Sequence, residues 1–113
     1  MIRATTPIHA FIFEEDPSQY AKILITYAQG NIQVLEKTKD DLVIEEITDD
    51  FSPQKGQYRA YCRLSQEDTR RFNASICKPI FVQVRVLTEY GESLASEKIK
   101  IPVYDVLNDE VLA

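Results

Sequence analysis

The sequence predicts an all-β fold, an immunoglobulin-like antiparallel β-sandwich of about seven strands with one short helical turn. Two observations lead to this prediction. Within short segments, apolar and polar residues alternate at a period of two. Turn residues separate these segments at near-regular spacing. A parallel α/β fold would instead need a helix between most strands.

The clearest strand is the run Ile80–Leu87, in which three valines alternate with Gln83 and Arg85. Successive side chains of a strand leave opposite faces, so we expect the valines to be buried and the two polar residues to be exposed or at an interface. A Gly-containing loop at 88–92 joins this run to a second alternating segment at 93–103, which predicts a hairpin. The valines are Val82, Val84 and Val86.

The other predicted strands are bounded by Gly, Pro and acidic turn residues. Gly30-Asn31 joins two of them in a second hairpin, because Gly supplies the positive φ that a tight turn demands. The complete set of predicted strands is 8–13, 22–29, 32–38, 42–47, 57–64, 80–87 and 93–103.

A change of period at 65–72 marks the one predicted helical segment. Ser65 occupies the N-cap position, acids fill the first turn and arginines the last, an order that complements the helix dipole. Asp68 stands where a capping box prefers Glu or Gln, so this signal is partial. Asn73 is expected to close the helix in a left-handed conformation.

Length and charge restrict the class of protein. The 113 residues suit one domain, 1–113, with residues 104–113 as a C-terminal tail. The net charge of −5 disfavours nucleic acid as a partner, since a phosphate-backbone binder needs a basic surplus. No apolar run approaches the roughly 20 residues of a membrane helix, and the N-terminus lacks an apolar signal core. We therefore expect synthesis in the cytoplasm, no signal peptide and no membrane partner.

Cys62 and Cys77 are the only cysteines in the chain. Cys62 shares an apolar face with Ala60 and Leu64, which predicts a small buried hydrophobic residue. Because disulfides are unusual in cytoplasmic proteins, we expect both thiols to be free.

No motif for catalysis or for cofactor binding appears. His9, the only histidine, has no Ser or Cys nucleophile beside it in a signature context. Glu45 and Glu46 leave opposite faces of a strand, so they cannot converge on a glycosidic bond. The acidic pairs lack the ligand spacing of a calcium loop and are expected to be solvated turns. These pairs are Glu14-Glu15, Asp40-Asp41 and Asp49-Asp50. We therefore expect no enzyme, no cofactor and no metal.

Tyrosines and the tail supply the candidate interface residues. Tyrosine is enriched in contact surfaces, although singly exposed aromatic side chains also occur without a function. The tail combines apolar residues at helical spacing with acids, and it either folds back on the sandwich or docks on a neighbouring subunit. The candidates are Tyr90, Tyr104, Val106, Leu107, Val111 and Leu112.

Five segments together resemble a family of small proteins from prophage-like regions of Gram-positive gut bacteria. They are residues 1–7, 25–29, 64–69, 82–88 and 105–112, and the resemblance spans nearly the whole chain. It implies a phage-associated structural protein and no catalytic residues. The stretch 47–57 is longer than the family pattern suggests, so this loop is expected to be particular to this chain.

The leading functional hypothesis is therefore a non-enzymatic structural or adaptor module of a phage or prophage particle. Its partners would be proteins, either further copies of itself in a homo-oligomer or other particle components. The alternative is a β-sandwich that binds a surface glycan or a host protein through its loop tyrosines. An aromatic-lined groove beside polar residues would favour the glycan, and an open strand edge would favour the structural module.

Overall fold

The computed structural model describes residues 5–72, 79–96 and 99–101, the last three by their backbone alone. Within these residues eight strands and one short α-helix form, which confirms the predicted all-β class. The elements are β1 (Ile8–Phe13), β2 (Lys22–Gln29), β3 (Ile32–Thr38), β4 (Leu42–Glu46), β5 (Tyr58–Arg63), α1 (Gln66–Arg70), β6 (Ile80–Leu87), β7 (Ser93–Ala95) and β8 (Ile99–Ile101). The described helix is too short to cross a membrane.

Several predictions concern residues outside the described part of the chain. They are the helix-closing role of Asn73, the free thiol of Cys77, and the tail contacts of Tyr104, Val106, Leu107, Val111 and Leu112. These stay predictions.

The strands form two antiparallel sheets. The first sheet has the order β1-β5-β4, and the second has the order β3-β2-β6-β7, with β8 also paired to β6. Both predicted hairpins are present, β2 with β3 and β6 with β7 and β8. Gly30 turns the first of them with a φ of 63°.

The predicted last strand, 93–103, is divided in the structure into β7 and β8. β7 ends at Ala95, and the hydroxyl of the next residue, Ser96, accepts a hydrogen bond from the Val84 N–H at 2.9 Å. The side chain thereby takes a place that a backbone carbonyl would hold in a regular ladder. The Ser96 N–H still donates to the Val84 carbonyl at 2.8 Å, so the two halves remain on β6.

The hydrophobic core lies between the two sheets. The three valines of β6 are at most 8% exposed, as their alternation predicted, while Arg85 is exposed and Gln83 is half-buried. Gln83 donates through its amide to the Ser96 carbonyl. The largest fully buried side chains include Tyr27, Phe72, Ile25, Leu64 and Ile80.

The helix begins at a complete capping box. Asp68 N–H donates to the Ser65 hydroxyl at 3.0 Å, and Ser65 N–H donates to the Asp68 carboxylate at 2.9 Å. The capping signal in the sequence is only partial, because Glu and Gln are the usual residues at the position of Asp68. The shorter Asp side chain nevertheless reaches the N-cap amide and completes the reciprocal pair.

Candidate protein-interaction site

One side of the sandwich is open. Among the described residues, β1 is the last strand of the first sheet and β7 is the last strand of the second along its main path. Residues of both strands line the same cavity, so these two strands border one side of the molecule. We call this side the open edge.

The open edge contains an apolar groove. A cavity of about 410 Å³ lies between β1 and the β6–β7 hairpin. Phe11 and Phe13 line it from β1, and Val84 and Val86 line it from β6. Tyr20 lies 6.2 Å from Phe13, measured between ring centroids. The two phenylalanines are only partly buried, although they contact the core, so their rings remain available to a further apolar group.

Strand β1 is apolar on both faces. His9, Phe11 and Phe13 are half-buried toward the core, whereas Ile8 and Ile12 are 59% and 41% exposed on the outer face. A strand of this composition is usually covered on both faces. Edge strands usually carry charged side chains that prevent pairing with another chain, and β1 carries none that is charged at neutral pH. An outer edge of this kind favours contact with a further strand.

An acidic cavity adjoins the groove where β1 ends. Its volume is about 710 Å³, and it shares Tyr20 and Leu94 with the groove. Five carboxylates and three tyrosines are among its lining residues, and none of the described lining residues is Lys or Arg. We call it the acidic mouth. The carboxylates are Glu14, Glu15, Asp16, Glu89 and Glu92, and the tyrosines are Tyr20, Tyr58 and Tyr90.

Local hydrogen bonds favour the ionised form of one carboxylate of the mouth, Asp16. The Ser18 hydroxyl and then the Ser18 N–H donate to Asp16, and these bonds lower the pKa of its carboxyl. Burial, together with the nearby Glu15, raises the pKa of Tyr20. Lys39 does not line the cavity, but its positive charge offsets part of the negative charge there. Its ammonium donates hydrogen bonds to the carbonyls of Ser18 and Tyr20.

The candidate interface residue Tyr90 lies in the acidic mouth and is 88% exposed. The rest of the site was not predicted from the sequence, because the groove forms only when β1 and β7 come together. One signal was present in the sequence: residues 8–13 read Ile-His-Ala-Phe-Ile-Phe, without the apolar–polar alternation of β6. A strand that is apolar on both faces, yet ends a sheet, indicates a contact surface.

His9 forms a polar pair with a buried tyrosine. Its Nδ1 lies 2.6 Å from the hydroxyl of Tyr27, which is fully buried. Burial lowers the pKa of His9, so its imidazole is neutral at neutral pH. Cys62 is a free buried thiol as predicted, and burial raises its pKa. A catalytic thiol needs the opposite shift, because its thiolate is the nucleophile.

On the opposite side of the sandwich, the outer strands of the two sheets, β3 and β4, are consecutive in the chain. Here a turn at Lys39–Asp41 joins β3 directly to β4. Lys37 of β3 forms an ion pair of 2.9 Å with Asp68 of α1, and both side chains are largely buried. Leu35 of β3 is buried in the core. We call this side the closed edge. Nothing in the sequence pattern pointed to the Lys37–Asp68 pair, because the two residues lie far apart along the chain.

Two carboxylates outside the acidic mouth, Glu45 and Asp50, take part in surface contacts. Glu45 accepts a hydrogen bond from Tyr61 at 2.7 Å and lies 3.5 Å from Arg59. Asp50 pairs with Lys55 within the 47–57 loop. In the described residues, no group of three His, Cys, Asp or Glu side chains is arranged to hold a metal ion.

The sequence matches no protein-family model and no curated protein. The function of the chain must therefore be inferred from its own geometry. The open edge is the most distinctive part of that geometry, since it joins an unprotected apolar strand, a groove and a charged cavity.

Proposed function

We propose that this chain is a non-enzymatic structural or adaptor module that acts through protein–protein contacts at its open edge. The observation that carries this proposal is β1, an edge strand among the described residues with apolar side chains on both faces. Such a strand offers backbone hydrogen bonds to a further chain, and its side chains offer apolar surface. In this proposal Ile8 and Ile12 are contact residues.

The strand order of the described residues supports an immunoglobulin-like topology and supplies every strand of it after the first. In that fold one sheet contains strands A, B, E and D, and the other contains C, F and G with C′ added at its edge in variable domains. Here β1, β5 and β4 correspond to B, E and D, and β7, β6, β2 and β3 correspond to G, F, C and C′. Strand A has no counterpart in the described residues. In the immunoglobulin fold this strand lies beside strand B.

The resemblance to prophage-encoded proteins supports a role in a phage or prophage particle. Particle assembly requires many protein–protein contacts, and the addition of a strand to an exposed sheet edge is one recurrent way to form them. The partner would be another component of the particle or a second copy of this chain. The tail at 104–113 is proposed as a second contact segment.

Co-purification with the products of the flanking genes tests this proposal. Ile12→Lys and Leu94→Lys place a charge on β1 and β7, and Val43→Lys on β4 is the matched control. Leu94 is 52% exposed and Val43 is 67% exposed, so each of these two substitutions leaves the core intact. We expect one flanking product to bind the parent chain and the control, and to bind the two edge variants at least about tenfold more weakly.

Two results would contradict the proposal. One is that no flanking product binds. The other is that the edge variants and the Val43→Lys control bind equally, whether strongly or weakly.

Glycan binding is the second candidate function, and the acidic mouth is the observation that favours it. Tyr20, Tyr58 and Tyr90 line this cavity beside carboxylates, a combination of aromatic and polar groups that suits a sugar. A glycan array tests this candidate. Binding of a defined saccharide that Tyr90→Ala removes and Ile12→Lys preserves would favour glycan recognition over the structural role.

A further inference from the structure

We propose that the open edge binds an extended segment of a partner protein that runs antiparallel to β1 and carries Lys or Arg just before an alternating apolar run. This inference rests on the proposed function and deepens it by stating the chemistry and direction of the segment. The segment would take the place of strand A, which has no counterpart in the described residues.

The length and the side chains of β1 define the apolar part of the segment. β1 has six residues, which corresponds to roughly 20 Å of extended chain. A strand hydrogen-bonded to β1 would alternate its side chains between two apolar surroundings. On the inner face it would meet Phe11 and Phe13 in the groove, and on the outer face Ile8 and Ile12.

The acidic mouth determines where the basic residues lie. Glu14 and Glu15 directly follow β1, so the mouth is at the C-terminal end of this strand. In the immunoglobulin fold strand A is antiparallel to strand B, which corresponds to β1 here. The N-terminal end of the partner segment would therefore reach the mouth. The five carboxylates there favour Lys or Arg, and complementary charge guides association and fixes register.

The chain's own tail fits the open edge poorly. β8 ends at Ile101, which pairs with Ile80 at the opposite end of β6 from the mouth. A tail that entered the groove from there would run toward the mouth and parallel to β1. It would carry Asp109 and Glu110 toward the five carboxylates of the mouth, where like charges repel. A tail donated by a second copy would bring the same acidic residues.

Selection from a display library of random linear peptides on the full chain tests the inference. We expect the recovered peptides to place Lys or Arg before alternating apolar residues. The strongest peptide is then synthesised together with a peptide of reversed sequence, which has the same composition but places its charge at the other end. Fluorescence anisotropy should show binding at least about tenfold weaker for the reversed peptide.

Charge reversal locates the bound peptide. Glu89→Lys combined with Glu92→Lys should weaken binding of the selected peptide by about tenfold, since attraction becomes repulsion at two positions. The matched control reverses two exposed carboxylates on the β3 side, Glu36→Lys with Asp40→Lys, and should bind as the parent chain does.

The other outcomes overturn the inference and separate it from the proposed function. If the peptides lack the basic residues but lose binding in Ile12→Lys, the open edge binds protein segments and only the inferred chemistry is wrong. If peptides are recovered only on a full-length variant with Leu107→Lys and Val111→Lys, the chain's own tail occupies the edge. If no peptide is recovered on either chain, the inference fails, and the flanking gene products decide the proposed function separately.

Discussion

The two edges of the sandwich differ in the contacts that their side chains make within the chain. At the closed edge a short turn joins β3 to β4, and Lys37 and Asp68 pair across the gap between β3 and α1. At the open edge, β1 and β7 border an apolar groove, and Ile8 and Ile12 face outward. The closed edge therefore stabilises the fold by itself. At the open edge, the described residues leave apolar surface and the outer backbone of β1 uncovered.

From this difference we expect the closed edge to affect the free energy of unfolding and the open edge to affect partner binding. Substitutions at the closed edge should lower the free energy of unfolding and leave partner binding to the folded chain unchanged. Substitutions at the open edge should do the reverse. The shared core beneath both edges should be the most sensitive of all.

The largest effect is expected in that core. Val84→Asp should unfold the domain, because an unpaired charge among buried residues costs several kcal/mol, comparable with the whole stability of a small domain. Arg85→Asp is the matched control, since its side chain is exposed on the other face of β6. Far-UV circular dichroism of the two variants should show a native β spectrum for the control alone. A folded Val84→Asp variant would show that the inner face of β6 is misassigned.

A smaller loss is expected at the closed edge. Asp68→Ala removes one half of the capping box and leaves Lys37 without its carboxylate, so the free energy of unfolding should fall by about 2 kcal/mol. Asp40→Ala removes a neighbouring exposed carboxylate and should change it by less than about 0.5 kcal/mol. Urea denaturation measures both values. Equal free energies of unfolding for the two variants would mean that the Lys37–Asp68 pair does not stabilise this edge.

The same carboxylate makes the closed edge sensitive to acid. Burial alone would raise the pKa of Asp68, but hydrogen bonds from Lys37 and Ser65 outweigh it and hold this pKa below its usual value. Its contribution is therefore complete above about pH 4 and is lost as the pH falls through the lowered pKa. The stability difference between the parent chain and Asp68→Ala should shrink over that acid range. If this stability difference stayed constant to low pH, Asp68 would not stabilise the fold through its ionised carboxylate.

The smallest effect on stability is expected at the open edge. Leu94→Lys should change the free energy of unfolding by no more than about 0.5 kcal/mol, because its side chain is 52% exposed and can turn its charge to solvent. Urea denaturation beside Val43→Lys checks this expectation. A loss as large as that of Asp68→Ala would show that Leu94 belongs to the core, and its effect on partner binding would then reflect misfolding.

The sequence predicted the strands better than it predicted their arrangement. The alternation around Val84 located β6 and its buried face, because that signal is local and repeats at every second residue. The end of β7 at Ala95 was not predicted, since the hydroxyl of the next residue, Ser96, bonds to a different strand. The groove, the His9–Tyr27 pair and the Lys37–Asp68 pair join residues distant in sequence, and only the sheet order brings them together.

Hydrogen exchange of the chain, alone and mixed with each flanking gene product, tests the central claim most directly. The amides of Ile8–Phe13 should gain protection with one of these proteins, because a strand added to β1 shields its backbone. The amides of Leu42–Glu46, the other outer strand of the same sheet, serve as the internal control and should not change. Protection confined to β4, or no protection with any of the proteins, would contradict the account.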